Sequence, residues 1–449
     1  MIPVVSQYTS DSKLGISGQV RIYVMAFFLV LVAELIGSVS IPVGPAKIVL
    51  MPLLWALLLG AVLSCSSSRL NGPLHISEAM QNYAGALLQP ALLLFIAKLG
   101  LLVGGTLPKI AASGWGILLQ EFGHFFGTMV FGLPIALLLG IKRQAIGATF
   151  SVGREPSLAI IGERFGMKSP EGQGVLAEYL TGTVFGAVFI AVVASLLAST
   201  KIFNPLALAM GAGVGSGSMM AAAVGSIASQ QTPEVAKEVA AFAAASNLIT
   251  TTIGTYFTLF LSLPFTIWAY KRLEPVLGRK TKASVETNVD APDSAGHEEP
   301  SIGFRTQVLV WIIVGAFSLL GNWISTKTSP LDPMALAGMA IIVAVVLCGY
   351  VLYRLTFRKL PAVIWVSVIG MLLTFPEFPT AAPIVSLTGK INFLAFTTPI
   401  LAFAGLSIAK NMPAFRKLGW RIVVVSFAAN GGTFIGATLI AQFFMHSTT

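Results

Sequence analysis

The sequence predicts an all-α fold: a polytopic membrane protein of about thirteen transmembrane segments, built as inverted-topology repeats with broken helices. Three observations carry that prediction. Of 449 residues, 55% are apolar and only 10% are Asp, Glu, Lys or Arg, whereas an ordinary globular chain is about 25% charged. The mean hydropathy is +0.84. The 44 Gly and 24 Pro suit membrane helices, in which both residues are commoner than in soluble ones. Two cysteines, Cys65 and Cys348, argue against a disulfide scaffold or a cysteine metal cluster. The four histidines are scattered without ligand spacing, so no metal and no cofactor is expected. The net charge of +10 is read as basic cytoplasmic loops and not as a nucleic-acid surface.

Long apolar runs place the segments at 22–39, 48–65, 84–105, 117–140, 145–163, 175–199, 203–227, 239–270, 306–325, 333–354, 361–376, 391–409 and 421–445. Residues 1–272 form an N-terminal membrane half that holds both broken helices, and 305–449 form a C-terminal half. Residues 273–304 are polar and apolar-poor, which predicts a disordered cytoplasmic linker. The first apolar run is too long for a cleavable signal peptide, and no small-residue cleavage site follows it. With the N-terminus in the cytoplasm, inward loops hold 19 of the 28 Lys and Arg and outward loops hold seven. Lys98 and Arg154 lie within apolar segments. The asymmetry predicts a multi-pass membrane protein, N-terminus inside and C-terminus outside.

The stretches beginning at Pro90 and Pro399 share an order: an early Pro in an apolar helix, a second Pro with basic residues, then Gly-Trp, then Gly-Thr. Gly114-Trp115 precedes Gly127-Thr128 by the spacing that separates Gly419-Trp420 from Gly432-Thr433. In the first copy the basic residues Lys142 and Arg143 follow the last helix. In the second, Arg416, Lys417 and Arg421 precede it. The positive-inside rule therefore orients the two helices oppositely, as in secondary transporters with inverted repeats. The alternative is two unrelated Gly-rich helices.

Two segments are poor continuous helices. In Ser151-Val152-Gly153-Arg154-Glu155-Pro156-Ser157, Pro156 lacks a backbone donor and biases Glu155 away from helix. A new helix can begin there with proline in its first turn. In Gly211-Ala212-Gly213-Val214-Gly215-Ser216-Gly217-Ser218, glycine weakens the helix, and Ser216 or Ser218 can cap the run that follows. Breaks in hydrocarbon survive where protein buries them or where they line a wet cavity, and an Arg or Glu at that depth usually faces such a cavity. Helix N-termini suit carboxylate or phosphate. The substrate-binding candidates are therefore Arg154, Glu155, Ser157, Gly213, Gly215, Ser216, Gly217 and Ser218. Close packing through small residues is the alternative for the glycines.

These residues resemble the superfamily of cation/proton antiporters and anion transporters, which includes glutamate/sodium symporters, bile-acid-type symporters and LrgB/CidB-like proteins. The LrgB-like order is a Thr-Thr-Pro-x-Ala break, one intervening helix and a second Gly/Ser-rich break. Arg154 to Ala159 and Gly213 to Met220 stand at the two places, the first departing from that order by carrying two charges. The match spans roughly residues 84–270. Over its full length the chain resembles a bacterial inner-membrane family catalogued as domain of unknown function 3100. The resemblance implies a transporter whose broken helices meet near the midplane of a mobile core, often as a homodimer.

Other polar groups sit in apolar segments. Glu121 and His124, at i and i+3, share a helix face and are candidates for proton coupling, with an interfacial location as the alternative. Asn247 and Thr251 offer oxygens to sodium or substrate, although back-bonding to helix carbonyls is the commoner use of Thr. Lys98 neutralises a carboxylate or lies along a bent helix. Glu34 and Glu178 are expected at the interface. The leading function is secondary transport of a small organic anion, coupled to protons or sodium, with Arg154 clamping a carboxylate. A cation/proton antiporter and an LrgB-like channel or modulator are the alternatives. No nucleophile–base pair appears, so an enzyme is not expected.

Overall fold

A computed structural model describes residues 14–43, 46–67, 72–112, 115–166, 169–279, 302–327, 332–356, 362–412 and 419–446. Eight of its helices are long and apolar enough to cross a membrane. They account for α1 (Ile16–Ile36), α3–α4 (Glu78–Ala86, Leu88–Ala112), α5 (Gly116–Leu138), α8–α9 (Pro170–Thr181, Ala187–Thr200), α15 (Phe304–Thr326), α16 (Pro333–Leu355), α19 (Thr397–Ser407) with its flanking turns, and α20 (Trp420–His446). Shorter helices fill the rest: α2 (Pro52–Ser66), α6 (Gln144–Thr149), α7 (Arg154–Arg164), α10 (Pro205–Gly213), α11 (Gly217–Ala228), α17 (Ala362–Leu373) and α18 (Ala381–Thr388). The run α12 (Pro233–Ile249), α13 (Thr255–Phe257) and α14 (Leu263–Leu277) is joined by two π-helical segments, Thr250–Gly254 and Thr258–Ser262.

Local chemistry sets the helix starts. Pro opens α2, α8, α10, α12 and α16, where its missing N–H costs nothing. Ser77, Ser169, Asn204, Ser216, Thr232 and Asp332 each accept a hydrogen bond from the first turn they precede. One element departs from the all-α expectation: β1 (Val39–Val43) pairs antiparallel with β2 (Ala46–Leu50). Val39, Ile41 and Val49 are β-branched, which favours the pleat. The expected linker 273–304 lies mostly outside the described residues, but its first five positions continue α14 to Leu277 and Phe304 opens α15.

Glycine brings the helices together, because apolar area gives little drive between helices that lipid also solvates. A Cβ built at Gly123 would lie 2.1 Å from the Gly436 carbonyl oxygen, and one at Gly127 2.1 Å from that of Gly432. Since 123 pairs with 436 and 127 with 432, α5 and α20 run antiparallel. The same close approach joins α2 to α19 at Gly60 and Gly405, and α4 to α17 at Gly100, Gly104 and Gly370.

The two broken segments do not cross the molecule. Arg143, just before α6, pairs with Glu171 at the start of α8 (Nη2–Oε1 2.6 Å). At the far end of α7, the Ser169 amide turns back onto the Gly166 carbonyl (3.1 Å), so α7 also ends beside α8. The pair α6–α7 is therefore a hairpin with both feet at one end. The pair α10–α11 is a second hairpin. Asn204 and Gln230, at its two feet, line one surface pocket of about 510 Å3 together with Lys201 and Gln442. The two pairs of feet lie at opposite ends of α20. Its first turns, at Ile422 and Val425, pack with Ile141, Ala145 and Leu176, whereas Gln442 accepts from the Asn204 amide (2.8 Å). The twenty residues between Ile422 and Gln442 rise about 30 Å, a hydrocarbon core's thickness. The expectation that 145–163 and 203–227 each cross is thus corrected. The lengths mislead because two short arms placed end to end match one span.

Candidate functional site

The non-helical tips are shorter than the sequence implies. In the first hairpin the break covers Phe150 to Gly153, and Arg154 to Ser157 already form the first turn of α7, with Pro156 in that turn. In the second it covers Val214 to Ser216, with Gly217 and Ser218 in the first turn of α11. Proline and glycine mark a break's neighbourhood, whereas the residue that leaves helical geometry is fixed by its capping partners. The Ser151 hydroxyl accepts from the Gly153 amide (3.0 Å), and the Ser216 hydroxyl from the Met219 amide (3.4 Å).

The π-interrupted run α12–α14 serves both tips. Asn247 Nδ2 donates to the carbonyls of Gly213 (2.8 Å) and Gly215 (3.0 Å), which the end of α10 leaves without helical partners. Farther along, the Ser262 hydroxyl donates to the Phe150 carbonyl. Each π segment carries an extra residue per turn and so re-aims the side chains around it.

Both tips open on one cavity of about 350 Å3. Ser151, Val152, Gly153 and Ser157 line it from the first hairpin, and Val214 to Ser218 from the second. His124, Asn247, Thr250, Thr251, Gly254 and Thr258 complete the polar wall, while Leu92, Ile96, Val363 and Ile364 are apolar. Gln89 and Val363 also line a neighbouring pocket of about 400 Å3 bounded by Phe304, Tyr350, Tyr353 and Arg354. The N-termini of α7 and α11, eleven and twelve residues long, therefore face one space. The Ser157 hydroxyl in that wall is buried and has no partner among the described residues.

Glu121 and His124 are 1% and 2% exposed, so neither side chain snorkels to water. His124 Nδ1 lies 3.3 Å from Glu121 Oε2, a long hydrogen bond, and Gln120 Nε2 donates to Glu121 Oε1 (2.9 Å). The Thr250 hydroxyl donates to the same oxygen. His124 Nε2 is buried without a partner among the described residues. The Thr128 hydroxyl donates to the His124 carbonyl (2.6 Å) and meets Thr433 of α20 (2.5 Å).

Of the sequence candidates, Ser157, Gly215, Ser216, Gly217, Ser218, His124, Asn247 and Thr251 come together at the cavity, with Glu121 directly behind His124. Arg154 and Glu155 open α7 at the first tip, and their side chains lie outside the described residues. Gly213 does not line the cavity. A Cβ there would sit 2.5 Å from the Ala243 carbonyl oxygen, so close packing demands that glycine. The Thr251 hydroxyl donates to the Asn247 (2.8 Å) and Leu248 (3.1 Å) carbonyls, the back-bonding common for threonine. Ser262 was not legible as a partner, since its contact with the Phe150 carbonyl is made across the fold.

Three remaining polar groups are buried against protein. Glu34 (7% exposed) accepts from the Thr398 hydroxyl (2.7 Å), and Glu178 (2%) accepts from Asn430 Nδ2 (3.2 Å), so neither side chain is open to solvent. Lys98 donates to the Thr388 carbonyl at the end of α18 (2.6 Å), where a helix C-terminus favours a cation.

A family model described as "Protein of unknown function (DUF3100)" matches residues 31–272, and the chain belongs to that family. The matched residues contain both hairpins and the first part of α14. No curated protein and no solved structure matches the chain.

Proposed function

We propose that this member of the family is a secondary active transporter of a small organic anion. One observation carries the reading: the tips of two opposed hairpins meet at one cavity with two helix N-termini turned into it. Such termini stabilise negative charge, and discontinuous helices meeting at mid-depth are the binding architecture of many secondary transporters. Arg154 stands at the first tip as a permanent cation suited to bidentate carboxylate binding. The order of the two breaks, similar to LrgB-like proteins and anion symporters, points the same way.

With the hairpins returning to their own ends, eleven of the thirteen apolar segments remain as crossings, still an odd number. Arg164 and Lys168 then move inward and Lys201 outward, which raises the inward share from 19 to 20 of the 28 Lys and Arg. That supports an N-inside, C-outside orientation in a bacterial inner membrane. The cavity then opens toward the cytoplasm past Gln89. The antiparallel α5–α20 pair, with Gly127-Thr128 against Gly432-Thr433, supports a local two-fold axis and hence an inverted repeat. Homodimerisation belongs to the same reading.

Arg154→Gln in proteoliposomes tests the proposal against a panel of radiolabelled carboxylates. The expected result is loss of uptake with protein yield and melting temperature nearly unchanged. Uptake that survives the substitution overturns the clamp. A second reading, a cation/proton antiporter, is favoured by the buried Glu121 directly behind His124 of the cavity wall. It predicts pH-gradient-driven cation flux without any anion dependence.

A further inference from the structure

We propose that His124 contacts the transported anion directly, and only in its doubly protonated form, so that binding one anion takes up one proton. The inference rests on the reading of the cavity as an anion site and adds to it the coupling ion and the atom that carries it.

An ionised carboxylate only accepts hydrogen bonds. Glu121 already receives Gln120 Nε2 and the Thr250 hydroxyl on Oε1, and its Oε2 faces His124 Nδ1. Nδ1 is thereby the donor of the pair, which leaves a lone pair on Nε2 in the neutral ring. His124 forms part of the cavity wall, and its Nε2 is buried with no partner among the described residues. At that edge a neutral ring presents a lone pair, which repels a carboxylate that reaches it. A proton on Nε2 converts the contact into a charge-assisted hydrogen bond. The imidazolium is in turn flanked by Glu121 on one side and the anion on the other. Histidine is the side chain whose ordinary charge change spans about pH 5 to 8.

Among the described side chains, Glu121 is the charged neighbour of this ring within α5; Arg154 and Glu155 belong to the first tip by backbone position. The 250–254 segment and α11 contribute no titratable group, and neither does the α20 stretch around Thr433. The charged residues of α12 (Glu234, Lys237 and Glu238) stand at its start, where Glu238 pairs with Lys109. Lys98 of α4 is turned to the Thr388 carbonyl. Glu121 acts here as a positioning residue, because it fixes which ring nitrogen is left for the anion.

The test uses the purified full chain with acetate, lactate and 2-oxoglutarate as probes, which stay ionised between about pH 6 and 8. Binding is followed by thermal shift and by proton uptake in weakly buffered solution. For any probe that binds, the expected result above the transition is about one proton taken up per anion, falling toward zero below it. Above the transition the dissociation constant should rise about tenfold per pH unit, the slope of one linked proton. His124→Gln keeps a donor and the ring's approximate volume, and should bind weakly with no pH slope and no proton uptake. Glu121→Gln should move the pH profile while retaining binding at low pH. A wild-type affinity independent of pH, or a slope that persists in His124→Gln, overturns this inference and leaves the anion site standing. If no probe binds at any pH, the anion reading fails and the inference with it. The ligand-free melting temperature of His124→Gln, near that of the wild type, separates lost contact from lost fold.

Discussion

The two hairpins solve the same problem with different chemistry. The first, α6–α7, has a six-residue arm and an eleven-residue arm and carries Arg154, Glu155, Glu163 and Arg164. Its feet are tied by an ion pair whose carboxylate, Glu171, is 1% exposed. The second, α10–α11, has no charged residue between Pro205 and Ala228, and its feet rest on neutral amides, Asn204, Gln230 and Gln442. Its tip is held by a capping serine and by Asn247 on the two carbonyls. The comparison teaches a division of labour. In the proposed site the first hairpin brings side-chain charge, and the second brings backbone dipole, with small residues that let a ligand and neighbouring helices approach closely.

That division can be broken or sharpened by substitution. The largest effect is expected at Gly174, where a Cβ would lie 1.9 Å from the Gln144 carbonyl oxygen. Gly174→Leu should prevent the first hairpin from seating on α8, so that little monodisperse protein survives detergent gel filtration. At the second tip, a Cβ on Gly217 meets only the flexible Leu92 side chain at 3.3 Å, and Gly217→Ala should fold normally. Equal loss in both variants would show that the hairpins do not differ in how they are held.

A smaller loss is expected from Arg143→Ala, which leaves Glu171 buried without its partner. Removing one member of a buried pair costs about 3–5 kcal/mol, but the Arg143 side chain is 61% exposed, so solvent reduces this to about 1–3 kcal/mol. The melting temperature reads it, and adding Glu171→Gln to Arg143→Ala should restore most of it. Failure of that second change to help would mean the ion pair is not what ties the feet.

The smallest contrast lies between the tip serines. Ser216→Ala removes an N-cap and should cost about 1 kcal/mol. Ser157→Ala removes a hydroxyl that makes no hydrogen bond among the described residues, and should change stability by less than about 0.5 kcal/mol. On the proposed reading it nevertheless weakens anion binding. A Ser157→Ala variant as destabilised as Ser216→Ala would place Ser157 in the fold and not in the site.

The sequence by itself determined the membrane class, the order of the apolar segments and the neighbourhoods of both breaks. Composition, proline and glycine act locally, and their consequences need no partner. Ser157, Ser216, Ser218, Asn247 and the Glu121–His124 pair were all legible as polar groups stranded in apolar sequence, and Gly215 and Gly217 as helix-weakening glycines. Only the tertiary structure decided that 145–163 and 203–227 are hairpins. A crossing and a folded-back pair of short arms have the same hydrophobic length, and the Arg143–Glu171 contact that separates them joins residues 28 apart in the chain. The fold also decided that Gly213 is a packing glycine while Gly215 lines the cavity. Two residues of sequence cannot say which helix face meets the Ala243 carbonyl. Burial of Glu34 and Glu178 was hidden for the same reason. Depth along a segment is written in the sequence, but which face a neighbouring helix covers is set by how the helices pack.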